Sequence, residues 1–398
     1  MEDKQQDLKQ LFQLEFSKMV AVISKRFGLQ HIEIAEDVVS ETFLLATETW
    51  LIKGMPANPT AWLYKIAQQK TLQHFRRNKI YADKIMPELR ATHENSNDAN
   101  ELSFTKENIQ DSQLQMMFAV CNPVIASESQ IGLALRILCG FGIDEIAEAF
   151  LTNKETINKR LFRAKEKLKI EVGKLEMIEE WEVDNRLDNV LHIIYLLFSE
   201  GYYSRTQNQI LQKELCIEAI RLCILLTDFE KTNLPKVNAL LALMCFHSSR
   251  FNARQNNKEE IVLYNQQDQD LWDDALINQG ITYFHISANG DELTAYHIEA
   301  RIAYLHCLKE DKNEKWQEIL DLYDNLLQIN YTSSAALNRT YALYKVNGKM
   351  EAIMAAEDLN LDNNHFYYLL LGDLYTDLDN ERALHNFIKA QTLAKTET

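Results

Sequence analysis

The chain has 398 residues, of which 46% are hydrophobic and 25% charged, enough apolar material for two or three folded domains. Only 5 prolines and 11 glycines are present, although β-sheets and parallel α/β folds rely on these residues at their turns. The composition therefore predicts an all-α protein. Lys and Arg number 42 against 58 Asp and Glu, so the net charge is −16, which argues against a nonspecific nucleic-acid coat.

The cysteines and the apolar segments predict the compartment. Six cysteines occur without a CxxC or zinc-ligand spacing, as expected of buried free thiols in a reducing environment. The polar N-terminus lacks the apolar core of a signal peptide. The longest apolar stretches, near 190–198 and 239–246, are shorter than the ~18–20 residues that span a bilayer. We therefore expect a cytoplasmic protein with no membrane partner.

The first two predicted helices cover residues 8–30 and roughly 34–51. The second has an apolar stripe at helical spacing, formed by Val39, Phe43, Ala46 and Trp50. Asp37 and Glu41 lie on its other side, where a solvated face is the simplest interpretation.

A third helix is predicted from an N-cap at Thr60 to about Ile80, after a loop that contains Pro56 and Pro59. Basic and aromatic side chains alternate along it, a mixture that suits single-stranded or melting DNA. Trp62 can equally belong to the core, which is the commoner role of tryptophan.

Residues 80–112 lose their periodicity and predict an acidic linker, with helices resuming near Ser112. Within the next segment, 113–176, a short helix (144–150) and a tight turn (151–153) precede a basic helix. The apolar face of that helix is Ile157, Leu161 and Ala164. This pattern predicts a helix-turn-helix motif whose last helix enters the major groove of DNA, although basic three-helix units also occur without DNA.

Residues 177–398 are predicted to form successive helices. A weak repeat relates 341–353 to 372–384, with Ala352 matching Ala383 and Ile353 matching Leu384. Such a repeat is typical of tetratricopeptide-like hairpins, which stack into interaction surfaces. A generic helical bundle is the alternative.

Three ordered blocks carry a family resemblance: AEDVVSETFLLATETW (35–50), NPTAWLYKIAQQKTLQHFRR (58–77) and LALRILCGFGIDEIAEAFLTNKETINKRLFRAKEKLK (133–169). Together they resemble an RNA polymerase sigma factor of the extracytoplasmic-function group (group IV). The C-terminal sequence resembles the subgroup with a long tetratricopeptide-like helical extension. The stretches that carry this second likeness are VLHIIYLLFSEGYYS (190–204), ELCIEAIRLCILL (214–226), FHSSRFNAR (246–254), QDQDLWDDALINQG (267–280) and LNRTYAL (337–343).

The resemblance implies a division of the chain into sigma region 2 (1–79), an acidic linker along the RNA exit path (80–112), sigma region 4 (113–176) and a regulatory or interaction domain (177–398). It also implies three sets of contact residues. For the −35 promoter element these are Asn153, Lys154, Thr156, Asn158, Lys159, Arg160, Arg163 and Lys167. For the −10 element they are Asn58, Trp62, Lys65, Lys70, Arg76 and Arg77. For the polymerase they are Asp37, Glu41 and Phe43.

The sequence departs from the family pattern at three positions of the third helix. Gln68 and Gln69 stand where the family often has Arg-Asn, and Gln73 stands where it often has Asp. These departures affect the base contacts expected at the −10 element.

The function expected from the resemblance is that of an alternative sigma factor controlled by its own C-terminal extension. Its partners would be core RNA polymerase (clamp helices and flap), promoter DNA and a protein bound by the C-terminal domain. The alternative is a helix-turn-helix regulator fused to a helical sensor. An enzyme is not expected, because candidates such as Asp268, Asp270, His297, Glu299 and His306 belong to no catalytic motif. No cofactor or metal is implied.

Overall fold

The computed structural model describes residues 2–77, 102–173, 175, 180–202, 209–254, 262 and 264–394. Every regular element among them is helical, and no strand occurs in these ranges, which confirms the predicted all-α class. The chain forms two compact units, residues 1–232 and 233–398. None of the helices in the described ranges combines the length and the apolar character that a bilayer span needs.

The first unit begins with helices α1 (Glu2–Phe27), α2 (Ile32–Lys53) and α3 (Pro59–Arg77), which contact one another. The predicted stripe on α2 is confirmed, because Val39, Phe43, Ala46 and Trp50 are all buried.

The predicted N-cap of the third helix is wrong. The Asn58 side chain, not that of Thr60, accepts the hydrogen bond from the Ala61 amide (3.0 Å), and α3 begins at Pro59. Proline suits the first helical position, where its missing N–H is not needed, and asparagine is a favoured cap before it. The predicted helix end at Ile80 lies outside the described residues.

Helix α4 (Lys106–Val120) begins earlier than the predicted restart near Ser112. Thr105 caps it by accepting a hydrogen bond from the Asn108 amide. The end of the predicted linker, residues 106–112, is therefore helical, while 80–101 lie outside the described residues. Helix α4 packs on α1, where Lys25 contacts both Asn108 (3.2 Å) and Asp111.

The predicted helix-turn-helix is present in the fold as α6 (Ile143–Ala149) and α7 (Lys154–Glu171), supported by α5 (Ser127–Leu133) and a π-helical turn (Ala134–Leu138). Helices α5 and α6 both pack on α7. The apolar face of α7 is buried as predicted, at Ile157, Leu161 and Ala164, and Leu168 extends it.

Two further helices complete the first unit, α8 (Glu180–Tyr202) and α9 (Gln209–Thr227). They pack on each other, and their polar side chains reach backbone carbonyls at the ends of earlier helices. Arg186 donates to the carbonyl of Phe118, Asn189 to that of Cys121, and Arg221 to that of Leu138 (2.7 Å). The unit that holds the helix-turn-helix therefore extends into the segment 177–398.

The second unit is a series of helices packed on their neighbours in the chain. They are α10 (Pro235–Ser249), α11 (Asp274–Ser287), α12 (Ala295–His306), α13 (Asn313–Ile329), α14 (Ser333–Asn347), α15 (Lys349–Asp358), α16 (His365–Tyr375) and α17 (Asn380–Leu393). The predicted repeat spans the α14–α15 and α16–α17 turns, and Ala352 and Ala383 are buried at equivalent positions. Ile353 is 6% exposed, whereas its counterpart Leu384 is 61% exposed, and α17 packs mainly on α16.

Close helix packing in the second unit depends on a small residue in α11. A Cβ atom added at Gly280 would lie 2.6 Å from Cε1 of Phe246, a side chain that is itself fully buried. Helices α10 and α11 can therefore approach this closely only because residue 280 has no side chain.

We predict that Gly280→Ala lowers the free energy of unfolding of the full chain by about 1–3 kcal/mol, since the Phe246 ring must move within a packed core. Urea denaturation followed by circular dichroism measures the change. The control is Gln279→Ala at the exposed neighbouring position of α11. Equal stability of the two variants would contradict the close packing described here.

Candidate nucleic-acid interface

The predicted reading helix α7 presents an accessible polar surface. Seven of the eight residues predicted to contact the −35 element are exposed: Asn153, Lys154, Thr156, Asn158, Lys159, Arg163 and Lys167. Asn153 is also the N-cap, because its side-chain oxygen accepts a hydrogen bond from the Thr156 amide (2.8 Å). The cap fixes the first turn of α7, which is the part of a recognition helix that enters the groove.

Neighbouring elements hold two of the cations on α7. Lys154 lies 2.5 Å from Asp144 of α6. Arg160, the half-buried member of the predicted set, lies 3.1 Å from Glu128 of α5 and stacks over the Phe150 ring. Each of these ion pairs includes an exposed carboxylate, and such pairs contribute about 0–1 kcal/mol. A phosphate group can replace either carboxylate at small cost, and Arg163 and Lys167 extend the cationic surface.

The other flank of α7 is joined to α2 by ion pairs that the sequence did not reveal. The Glu36 carboxylate, on a residue only 4% exposed, lies between Arg136 of the π-helical turn (3.0 Å) and Lys165 of α7. One turn further along, Lys169 pairs with Glu33 (2.9 Å). We call these five residues the α2–α7 junction. The Leu29 amide, which donates to the Gly173 carbonyl (2.9 Å), extends it.

The charge state of Lys169 in the junction is set by its two carboxylate partners. Burial disfavours the ammonium form of Lys169, but hydrogen bonds to Glu166 and Glu33 outweigh burial and raise the pKa of Lys169 above its usual value. Lys169 is therefore fully charged at neutral pH.

Helix α3, predicted to contact the −10 element, has its polar residues in three different environments. Lys65 and Asn58 are exposed. Lys70 is half-buried and forms an ion pair with Glu41 of α2 (2.8 Å). Trp62 is half-buried and meets Trp50 edge to face at 5.3 Å, so only part of its surface is open. Arg76 and Arg77 end the helix, and their side chains lie outside the described part of the chain.

The chain that precedes α4 covers part of α3. The Phe104 ring stacks on Tyr64 at 4.7 Å, and the Gln68 side chain donates to the carbonyl of Leu102 (2.8 Å). Tyr64 also hydrogen-bonds to Glu15, and burial followed by that carboxylate raises the pKa of Tyr64 well above its usual value. Tyr64 is therefore not an open surface for base stacking in this conformation.

The outer face of α2 combines acidic and apolar residues. Asp37 and Glu41 are exposed, whereas Phe43 is buried and packs edge to face on Phe12 at 4.9 Å. Phe43 therefore anchors α2 in the bundle rather than facing a partner.

The same outer face continues into apolar residues that the sequence analysis missed. Leu44 and Leu51 are each 61% exposed and lie seven and fourteen residues after Asp37, and Ile52 is 86% exposed. The signal that could have found them is this heptad spacing.

The residues considered as enzyme candidates all lie in the second unit, where their contacts are to neighbouring helices and turns. Asp268 accepts a hydrogen bond from the Asp270 amide (3.0 Å), and His297 contacts the Ser287 carbonyl (3.2 Å). Burial, followed by the charges of Arg250 and Lys315, lowers the pKa of His306 to about 3. Burial raises the pKa of Glu299 to about 7. No group of three His, Cys, Asp or Glu suited to a metal ion occurs in the described ranges.

Comparison with known proteins finds similarity to a family of unknown function over part of the chain and to one uncharacterized protein over most of it. Residues 186–288, from within α8 to the end of α11, match a family of unknown function, DUF6596. An uncharacterized protein of Rhizobium meliloti (strain 1021) is 29% identical over 354 residues, which cover 88% of this chain and 83% of the relative. No solved structure matches. The similarity to the relative therefore extends well beyond the DUF6596 segment.

The observed role of Asn153 as the cap of α7 and its predicted role in contacting bases are separable by substitution. We predict that Asn153→Ala lowers the free energy of unfolding by about 1 kcal/mol because the cap is lost, whereas Asn153→Ser retains most of it. Thermal unfolding measures this difference.

If Asn153 also contacts a base edge, both variants change the preferred −35 sequence in a binding selection. Unchanged preference in the serine variant would limit Asn153 to the cap.

Proposed function

We propose that this chain is an alternative sigma factor that directs core RNA polymerase to particular promoters. The observation that carries the proposal is the combination in one compact unit of a helix-turn-helix with an exposed cationic helix and a three-helix bundle with an outward acidic and apolar face. The order of these parts along the chain is the one that the sequence resemblance implies. A sigma factor acts in the cytoplasm, where the expected reduced thiols are stable.

In the proposed function, α7 reads the −35 element as duplex. Asn153, Lys154, Thr156, Asn158 and Lys159 lie in its N-terminal half, where side chains reach base edges in the major groove. Arg160, Arg163 and Lys167 lie further along the helix and suit phosphate contacts, which position the helix without reading sequence.

Helix α3 and the loop before it would contact the −10 element. Lys65 is open to solvent and Lys70 needs only to exchange Glu41 for a phosphate. The half-exposed ring of Trp62 offers a face to an unpaired base, and stacking of this kind contributes about 1–3 kcal/mol per base. Arg76 and Arg77 are proposed to hold the backbone.

The outer face of α2 is the proposed docking surface for the clamp helices of core polymerase. Asp37 and Glu41 favour a basic partner, and the adjacent Leu44 and Leu51 add apolar surface that water would otherwise cover. A second contact, to the flap, is expected from the helix-turn-helix unit. The polymerase performs the chemistry, so the chain itself needs no catalytic residue.

The experiment that tests this function is transcription from a −35/−10 promoter by purified core polymerase with and without the chain. A sigma factor starts transcription with core enzyme alone. A helix-turn-helix regulator, the alternative function, would bind DNA but start no transcript without a resident sigma factor.

We predict that Arg163→Ala with Lys167→Ala weakens promoter binding across sequences. Because two phosphate contacts are lost, the negative slope of log affinity against log salt should become shallower by about 2. Fluorescence anisotropy over a salt series measures the slope. The control is Lys309→Ala with Lys312→Ala, two exposed lysines of the second unit. An unchanged slope in the α7 variant would contradict the phosphate assignment.

Regulation is proposed to reside in the second unit, residues 233–398, rather than in everything after residue 176. Side chains of α8 and α9 donate hydrogen bonds to the carbonyls of Phe118 and Leu138. A truncation before these helices would therefore destabilise the unit that contains the helix-turn-helix. A chain that ends after Thr232 keeps them.

We predict that this truncation still forms holoenzyme but changes the amount of promoter-dependent transcript. Equal transcript from truncated and full-length chains would exclude a regulatory second unit.

A further inference from the structure

A cluster in the second unit brings two buried cations to one aromatic ring. Arg250, directly after α10, and Lys315, in the first turn of α13, are each only 7% exposed. The guanidinium carbon of Arg250 and the ammonium nitrogen of Lys315 each lie 5.5 Å from the centroid of the Tyr264 ring. The His306 ring, at the end of α12, meets Tyr264 edge to face at 4.8 Å. We call these four residues the Arg250 cluster.

Arg250 has hydrogen-bonding capacity that the described chain does not use. Within the described ranges its guanidinium pairs with no carboxylate, and its Nε atom is buried without a hydrogen-bond partner. A buried guanidinium without a counter-ion is unfavourable, because the charge loses its hydration and gains no opposite charge in return. The Nδ1 atom of His306 is likewise buried without a partner. The cluster therefore contains two polar groups suited to an additional acceptor.

Lys315 is held by uncharged oxygen atoms. Its ammonium nitrogen lies 3.0 Å from the Tyr264 hydroxyl, 2.9 Å from the Leu308 carbonyl and 3.4 Å from the Glu310 carbonyl. Since none of these three acceptors carries a charge, the contacts fix the position of Lys315 but leave its positive charge uncompensated.

The carboxylate that acts on the cluster, Asp311, is engaged by other residues. It pairs with Lys345 of α14 at 3.1 Å and accepts a hydrogen bond from the indole N–H of Trp316. Burial lowers the pKa of Lys315, Asp311 opposes this shift, and Arg250 adds to it. Because the partly exposed Asp311 is already paired with a lysine, the cluster keeps an excess of positive charge.

The electrostatics of His306 report the same excess. Burial, followed by the charges of Arg250 and Lys315, lowers the pKa of His306 to about 3. The imidazole is therefore neutral at neutral pH, and a neutral imidazole can donate one hydrogen bond. Tyr264 and His306 are half-buried, so part of the cluster is accessible from solvent.

We propose that the Arg250 cluster binds the oxyanion group of a small molecule, a carboxylate or a phosphate, between Arg250 and Lys315. The planar guanidinium can hold two oxygen atoms of such a group, and Lys315 adds a second positive charge. His306 donates a further hydrogen bond. All four residues belong to the second unit, so this inference does not depend on the proposed function.

The test is isothermal titration calorimetry of the full-length chain with sodium phosphate and, separately, with sodium acetate, in chloride buffer of constant ionic strength. We expect saturable binding of at least one of these anions, with a dissociation constant below about 1 mM. Phosphate binding would indicate a phosphorylated ligand and acetate binding a carboxylic acid, and either supports the inference. Saturable binding of neither anion overturns it.

The substitution Arg250→Met locates the bound anion, because methionine keeps an apolar stem and removes the charge. The control is Arg301→Met on α12, since Arg301 pairs with Glu318 at 2.6 Å and stacks over Tyr304. We expect the affinity to fall at least about tenfold in Arg250→Met and to stay within about twofold of wild type in the control. An equal effect of the two substitutions would place the anion elsewhere and overturn the inference.

If Arg250→Met does not fold, Arg250→Lys retains the positive charge but loses the planar fork. It should bind the same anion about fivefold to tenfold more weakly than wild type, whereas Arg301→Lys should bind it as wild type does. Wild-type affinity in Arg250→Lys would contradict an oxyanion held by the guanidinium.

Discussion

The arrangement of the first unit depends on the two ion pairs of the Glu36 carboxylate. This carboxylate is almost completely buried, and it is stable there because Arg136 and Lys165 supply opposite charge from two different elements. Removing one partner of such a buried pair costs about 3–5 kcal/mol, since a charge remains without compensation. The pairs fix α2 against both the π-helical turn and α7, and so they set where α7, the predicted reading helix, lies relative to the N-terminal bundle.

Hydrogen bonds from polar side chains then connect α8 and α9 to the earlier helices of the same unit. Arg186, Asn189 and Arg221 satisfy backbone carbonyls at the ends of α4 and the π-helical turn, groups that would be costly to bury unpaired. Arg221 reaches Leu138, which shares the π-helical turn with Arg136. The DUF6596 segment therefore starts in helices that complete the helix-turn-helix unit and ends in the second unit.

Composition predicted the fold class, and periodicity predicted the buried faces. The stripe on α2 and the apolar face of α7 follow directly from residues spaced three and four apart, and both are buried. The cap of α3 was mispredicted because Asn58 and Thr60 are both suitable caps, and the position of Pro59 decides between them. The start of α4 was missed because its first turn is polar.

Periodicity does not specify which side chains meet in the folded chain. Most contacts of the candidate site therefore could not be predicted from the sequence. Periodicity shows that one side of α2 is apolar, but not that Glu36 meets Arg136 one hundred residues later. The stacking of Phe104 on Tyr64 and the pairing of Lys70 with Glu41 are also tertiary contacts. The exposed Leu44 and Leu51 were readable in principle, but an apolar residue beside a core stripe is normally assigned to the core.

The measurement that tests the account most directly is site-specific photo-crosslinking from the outer face of α2 to purified core polymerase. A photoreactive residue at position 51, on the exposed apolar part of that face, should crosslink to the largest polymerase subunits. The same residue at exposed position 309 of the second unit should give a different pattern. Crosslinks from position 51 that map to the clamp would agree with a sigma factor. Failure of the chain to crosslink to or co-purify with core polymerase would contradict it.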